Sequence, residues 1–252
     1  MTTRQNESPM LAIKVLECPY DQWEVPGVGD LFRDLIGLKL RGYGHEYAYG
    51  VLPVDANDLI STHFLLFRDE ALVMAIRWTS LRKCSQHYTS FPGLSLLQQA
   101  QAPEHVRSLE TIIANLRPGG DLYYSGSLAI EPSERGDREK SKMYREILTA
   151  IYVGYQSQTG AELMAGGTCR FKIDRWLASL GHQPLTSPEI GELPPINVKH
   201  LASEEVRVMH MREFSLEARR LYKKWKHLWQ ARIVLGDLDG AAQAKGAKTT
   251  AA

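Results

Sequence analysis

Residues 121–185 constrain the fold more than any other stretch, because strand and helix signals alternate through them without interruption. Aromatic, aliphatic and small residues run from Leu122 to Ile130 without helix periodicity and stop at Pro132, which predicts a strand. Met143, Ile147, Ile151 and Tyr155 then recur four apart, with Leu148 and Tyr152 beside them, as on the apolar stripe of a helix that Gly160 closes. A short strand over Glu162 to Ala165 follows. A second amphipathic helix, with Phe171, Ile173, Trp176, Leu177 and Leu180 inward, ends at Gly181.

The loop between the first strand and the first helix has a chemical meaning. A loop that feeds a helix N-terminus presents unpaired N–H groups and the positive end of the helix dipole, so it can hold a phosphate. Ser133 to Ser141 occupies that place and carries Arg135, Gly136, Arg138 and Lys140, with Lys142 just beyond. The bland reading is a surface loop with scattered charge.

Upstream, Leu11 to Leu16 reads as a strand ending at Cys18-Pro19. A helix capped by Asp30 follows, with Leu31, Leu35, Leu38 and Leu40 near helix spacing, and Gly42 and Gly44 end it. The loop from His45 to Asp58 holds two acids three apart, Asp55 and Asp58. Thr62 to Arg68 and Ala71 to Trp78 flank the turn Asp69-Glu70 and are nearly all apolar, so this hairpin belongs in the middle of a sheet. Arg77 is the anomaly. A charge near the end of a buried strand needs a carboxylate partner, for which Asp55 and Asp58 are candidates, or a site to serve. Residues 80–120 form a long connection with a loop through Phe91-Pro92-Gly93 and a helix from Pro103 to Leu116. Connections of this size commonly build a binding wall.

Composition narrows the class. At 252 residues, with 44% hydrophobic and 23% charged residues, the chain suits a soluble globular protein of one large domain or one and a half. No run approaches the roughly 18–20 apolar residues that cross a bilayer. The polar start MTTRQNESPM has no apolar stretch of the kind a secretory signal needs. Cys18, Cys84 and Cys169, odd in number and without Cys-x-x-Cys spacing, predict a reducing, cytoplasmic compartment and neither a disulfide framework nor a zinc site. A formal charge of +1 gives no global attraction to nucleic acid. The expected organisation is a leader over 1–9, a main domain over 10–212, an amphipathic helix over 213–236 and a tail over 237–252, with leader and tail disordered by composition.

Near the C-terminus, Val206 to Met211 alternates as a last strand, and Ser215 to Leu235 reads as a helix. Leu221, Trp225, Leu228, Trp229 and Ile233 share one side, while Arg219, Arg220, Lys223, Lys224, Lys226 and Arg232 occupy the other. Such a helix either lies on an anionic membrane or acidic partner, or packs its tryptophans on the core and leaves its charges in water.

The order strand, loop with Arg135-Gly136 and Arg138, helix, strand, helix resembles the acyltransferase core of the GNAT superfamily. Arg33 on the early helix, Asp55 and Asp58 in the loop, and Arg77 closing the hairpin extend the resemblance to acyl-homoserine lactone synthases and N-acyl amino acid synthases over roughly residues 25–185. The resemblance implies an α/β fold with a mixed, mostly antiparallel sheet flanked by helices. Lactone synthases carry Glu-x-Ser-Arg on the fourth strand, where this chain has Tyr124, Ser125, Gly126 and Ser127, so the N-acyl amino acid branch is the nearer one.

What the resemblance implies is transfer of a fatty acyl group from an acyl carrier protein or acyl-CoA thioester to the amine of an amino acid. No permanently bound cofactor and no metal is implied. Donor-binding candidates are the backbone of Leu128, Ala129 and Ile130, where the fourth and fifth strands splay, and the loop residues Arg135, Gly136, Arg138, Lys140 and Ser141. Arg33, Asp55 and Arg77 are the acceptor-binding candidates, and Arg77 is also counted as catalytic. Glu131 is the first candidate for the general base and Asp58 the second. Many GNAT enzymes use a tyrosine of the last helix as acid, and Leu177 stands at the matching place. Acyl carrier proteins are acidic, so exposed basic groups in the loop would steer them, and coenzyme A would use the same loop for its pyrophosphate. The lack of the family's second loop glycine favours the carrier as donor. Alternatives are an inactive acyl- or protein-binding module and an acetyl-CoA-dependent acetyltransferase.

Overall fold

The two apolar runs around Asp69-Glu70 become the middle of one large sheet. A computed structural model describes residues 10–235. It begins with β1 (Leu11–Glu17), α1 (Val28–Tyr47) and a short α2 (Asn57–Ile60), followed by β2 (Thr62–Arg68) and β3 (Ala71–Ser80). Helices α3 (Leu81–Gln86), α4 (Pro92–Gln99) and α5 (Pro103–Ala114) lead to β4 (Leu122–Ile130), α6 (Arg138–Thr159), β5 (Glu162–Thr168) and α7 (Ile173–Leu180). The short strands β6 (Gln183–Pro184), β7 (Thr186–Ser187), β8 (Gly191–Glu192) and β9 (Ile196–Val198) precede β10 (Glu204–Met211), α8 (Leu216–Gln230) and β11 (Ile233–Leu235).

The sheet runs β11-β1-β2-β3-β4-β5-β10-β6, with β9 also paired to β10. Its neighbours are antiparallel except for the parallel pairs β11/β1 and β4/β5. The period of two along a strand then sorts the side chains. Phe64, Leu66, Met74, Ile76 and Trp78 face α6, α7 and α8, while Leu65, Phe67 and Ala75 face α1. Helices α3 to α5 share a further core with Leu122, Met164, Val206 and Val208. Both faces of β2 and β3 are therefore covered, which is why those runs carry so few polar residues. No helix among the described residues is long and apolar enough to cross a membrane.

Several local expectations are corrected. Helix α1 passes through Gly42 and Gly44 to Tyr47, and it starts after Gly27 rather than at Asp30. Both glycines are packing positions: a Cβ on Gly42 would meet the Ile130 carbonyl at 3.2 Å, and one on Gly44 would overlap the Tyr49 ring. Pro92, read as part of a loop, opens α4, consistent with the tolerance of a helix for proline in its first turn. Phe171 is exposed and lies against the Arg170 guanidinium, so it is not part of the inward stripe of α7. The C-terminal helix stops at Gln230, and Ile233–Leu235 pair in parallel with β1. A three-residue apolar run at a helix end cannot be assigned by periodicity alone. The leader 1–9 and the tail 237–252 lie outside the described residues.

Helix α8 packs its aromatic side against α6. Trp229 is buried, Trp225 and Tyr222 are half-buried, and Lys224 and the Trp225 indole N–H both reach Glu146. Gly154 on α6 makes the closest approach possible, since a Cβ there would lie 2.5 Å from the Trp229 indole. Alanine at a helix interior is normally favoured over glycine by about 1 kcal/mol. In Gly154→Ala that gain is outweighed by overpacking, and we expect a net loss of about 1–3 kcal/mol, read as a lower urea midpoint at unchanged slope.

Candidate active site

The β4 strand carries an irregularity beside Arg77. Ala75 is opposite Ala129 and Arg77 is opposite Gly126, so Ser127 and Leu128 together face Ile76 and form a bulge. Ser127 adopts φ 53°, the left-handed conformation that such a bulge requires here. On its other side β4 pairs with β5 only from Leu122 to Ser125, after which β5 continues along β10. The two strands part beyond Ser125 and Ala165. Glu131 N–H donates to Val73 C=O on β3, so strand alternation directs the N–H groups of Ile130 and Leu128 to the opened edge. A gap lined by backbone N–H groups suits a carbonyl oxygen on which charge develops.

A buried charge cluster stands on the α1 face of the same strands. Arg77, with its side chain 6% exposed, holds Asp55 through two bonds of 2.7 and 3.1 Å and approaches Asp58 at 3.0 Å. Lys39 of α1 donates a short bond to Asp58, and both side chains are 1% exposed. The second Asp58 oxygen accepts the Asp55 N–H at 3.0 Å. His63, opposite Arg77 on β2, bonds the Asp58 backbone carbonyl at 2.7 Å through Nε2, and its Nδ1 has no protein partner. Two cations and two carboxylates balance. Only Asp55, 52% exposed, turns charge toward solvent.

The titration behaviour follows from burial and pairing. Burial alone would raise the Asp58 carboxyl, but Arg77 and Lys39 outweigh it and hold the group below its ordinary value. Burial pushes Lys39 down to about 8, opposed by Asp58. His63 is pushed down to about 3, chiefly by burial, so it stays neutral. Tyr43 of α1 and Tyr124 of β4, near the cluster, are raised to about 12 by burial and keep their phenolic protons. The Tyr124 hydroxyl lies over Gly166, where a Cβ would come within 2.9 Å of it, close to where β4 and β5 separate.

The structure brings Asp55, Asp58 and Arg77 together and leaves Arg33 outside. Arg33 is 77% exposed and pairs with Asp30 one turn away on the same helix. The α1 cation in the cluster is Lys39, and the signal for it was a lysine within the Leu31, Leu35, Leu38, Gly42 buried stripe. Glu131 ends β4 in a pair with Arg41 at 2.8 Å, roughly 15 Å along the strand from the level of Arg77. Arg135 turns inward, its guanidinium bonding the Ile130 and Gly42 carbonyls and Glu46. Lys140 approaches the buried Glu134 at 3.3 Å, and Glu134 also binds Arg68 and Tyr144. Gly136 takes φ 86° in open space. Asp137 caps α6 by accepting the Glu139 and Lys140 N–H groups, so that helix end already holds a carboxylate. Arg138, Ser141, Lys142 and Arg145 line a groove of about 300 Å³ that Trp176 and Leu180 of α7 and Ala218 of α8 complete.

No family model and no curated protein matches the sequence. Solved structures do. BjaI, a CoA-dependent acyl-homoserine lactone synthase solved with SAM and isopentyl-CoA, superposes with a TM-score of 0.52 at 14% identity, covering 94% of this chain and 99% of its own. The chain has a GNAT-like fold. LasI, an AHL synthase, gives a TM-score of 0.49 at 16% identity over 81% of this chain and 89% of its own. FeeM, an N-acyl amino acid synthase from uncultured soil microbes, gives 0.48 at 13% identity over 86% and 99%. The mixed, mostly antiparallel sheet flanked by helices is the architecture the sequence resemblance implied.

Breaking the cluster should cost stability, and His63 contributes to the pH dependence of stability. Asp58→Asn leaves Lys39 and Arg77 buried beside a neutral amide and is expected to cost about 3–5 kcal/mol. The half-exposed Asp55→Asn should cost less. Because the folded chain refuses a proton that an unfolded histidine accepts below about 6.5, His63 removes stability as pH falls from there toward 3, at up to about 1.4 kcal/mol per pH unit. Asp58 adds a loss only below about pH 4, where the unfolded carboxylate protonates. Urea denaturation between pH 7 and 5 should therefore show a shallower slope for His63→Gln than for the parent.

Proposed function

We propose that the protein is an N-acyltransferase that moves a fatty acyl group from a carrier thioester to the amine of an amino acid. The observation that carries this reading is the juxtaposition of the opened β4 edge with a neutral charge cluster whose one solvent-facing member is the Asp55 carboxylate. An ammonium group is the natural ligand of that carboxylate, and Arg77 and Asp58 hold it in position.

The chemistry asks for modest assistance. An α-amine with a pKa of about 7.7–8.0 has a neutral minority at pH 7, so loss of its proton to an ordered water beside Asp55 suffices. The neutral nitrogen attacks the thioester carbonyl, and the N–H groups of Leu128 and Ile130 receive the oxyanion. As the tetrahedral intermediate collapses, the nitrogen releases its second proton to water, the C–S bond breaks, and a thiolate with a pKa near 8.5 leaves without an acid. Neither candidate base from the sequence is needed. Asp58 is spent on Lys39 and Arg77, and Glu131 on Arg41.

On the donor side, the exposed Arg138, Lys142 and Arg145 along α6 give an acidic acyl carrier protein a basic surface. The Asp137 cap supports a carrier over free coenzyme A, since a pyrophosphate at the α6 N-terminus would have to displace that carboxylate.

The test is thiol release and product mass with long-chain acyl carrier protein, long-chain acyl-CoA and acetyl-CoA, each with pooled amino acids. An N-acyl amino acid from a long-chain donor is expected. Asp55→Asn should lower kcat/KM about 10–100-fold through the amine acceptor, the value of a hydrogen bond to a charged group. Lys142→Glu should weaken turnover with the carrier more than with acyl-CoA. Product from acetyl-CoA alone, or an Asp55→Asn enzyme of parental activity, would overturn the reading.

A further inference from the structure

Three different metal-ligating side chains meet away from the acyl-transfer site. Cys18 follows β1, Asp21 closes the next turn with its N–H on the Cys18 carbonyl at 2.9 Å, and His87 caps the C-terminal end of α3. The Cys18 Sγ lies 3.8 Å from His87 Nε2, and that nitrogen lies 3.6 Å from Asp21 Oδ1. All the donor atoms fall within 4.8 Å of one another.

These separations, which also allow hydrogen bonds among the three side chains, fit the ligands of one metal ion. Around a tetrahedral zinc ion with bonds of about 2.0–2.3 Å, neighbouring N, O and S ligands stand about 3.3–3.6 Å apart. The Cys18–His87 and His87–Asp21 separations are within a few tenths of an ångström of those values. Its surroundings are arranged to match. Lys83 binds the other oxygen of Asp21, Oδ2, at 2.8 Å and so leaves Oδ1 toward His87, as an outer-shell partner does. Tyr20 packs edge-on against the His87 ring at 5.5 Å. Cys18 is held at φ 42°, a strained conformation for a non-glycine residue. A cavity of about 160 Å³ adjoins the cluster, lined by Cys18, Asp21, Lys83 and Tyr123 among others, with room for water.

We propose that Cys18, Asp21 and His87 bind a zinc ion through thiolate, carboxylate and imidazole, with water from the adjoining cavity as fourth ligand. One imidazole, one thiolate and one carboxylate suit zinc or cobalt over calcium or magnesium. Binding transfers the thiol proton to solvent as the metal–sulfur bond forms, and no oxidant or reductant is required. The ion would tie the segment after β1 to α3. It would also brace the acceptor cluster, because Cys18 N–H and Tyr20 N–H donate to Ser61 and Leu59 carbonyls on the segment that carries Asp58.

The full chain, stripped with chelator, is titrated with cobalt(II) and then with zinc. Stoichiometric binding is expected, with a thiolate-to-cobalt charge-transfer band, tetrahedral visible bands, and displacement of both by zinc. Cys18→Ser should abolish the charge-transfer band, whereas Cys84→Ser and Cys169→Ser should retain it. His87→Gln, a change at a helix end, should weaken binding by at least the 10–100-fold that loss of an outer-shell partner costs, and should remove the zinc-dependent rise in Tm. Circular dichroism of each variant separates loss of the site from loss of the fold. Absence of cobalt binding by the folded parent, a thiolate band surviving in Cys18→Ser, or unchanged affinity in His87→Gln would overturn the proposal.

Discussion

The Arg77 guanidinium sets the terms for the site. A charge placed on a central strand between two covered faces is tolerated only if its neighbours neutralise it, and here they do so in a chain from Asp55 through Arg77 and Asp58 to Lys39. Each link comes from a different part of the fold: the loop after α1, β3, α2 and α1 itself. Hydrophobic residues of similar volume would pack such a location at least as well. The cluster is therefore better explained by specificity and function than by stability. It fixes α1 against the sheet in one register and presents one carboxylate at its solvent edge.

The geometry around Arg77 ties that cluster to the backbone of β4. The bulge at Ser127 and Leu128 falls opposite Ile76, next to Arg77, and increases the local twist. Increased twist on one edge and the diversion of β5 onto β10 together release β4 from its neighbour. Polar backbone on a sheet edge left open inside a protein requires a partner. Arg135 meets part of that need at the Ile130 carbonyl. The N–H side remains directed to the gap, and a ligand carbonyl would satisfy it.

Much of this was legible in residue pattern, and the failures have physical causes. The continuous apolar runs of β2 and β3 and the four-residue spacing on α6 admitted few other assignments. The pairing of Arg77 with Asp55 and Asp58 followed from the need to neutralise a buried charge. Arg33 enters through the family resemblance, which goes by order along the helix and not by face. Counting from Leu31 and Leu35 places position 39 on the buried stripe and position 33 in water. The bulge leaves no mark in sequence beyond Gly126 and small neighbours. The inward turn of Arg135 depends on a contact with Gly42, 93 residues away in the chain.

The Cys18, Asp21 and His87 group was invisible for the same reason. Cys-x-x-Asp has no standing as a motif, and the third member is 69 residues distant. Three isolated cysteines argue against a zinc site only if sulfur must supply most of the ligands. A mixed donor set escapes that arithmetic, because carboxylates and imidazoles are common on any surface and acquire meaning only through distance. The α6 loop teaches the converse. Its arginines, glycine and helix start have the composition of a phosphate cradle, yet Asp137 takes the N–H groups and Glu46 holds Arg135. Composition gives what a segment could bind, and the partners already present decide what capacity remains. On that accounting, the cations of α6 that stay exposed and unclaimed by the loop are Arg138, Lys142 and Arg145.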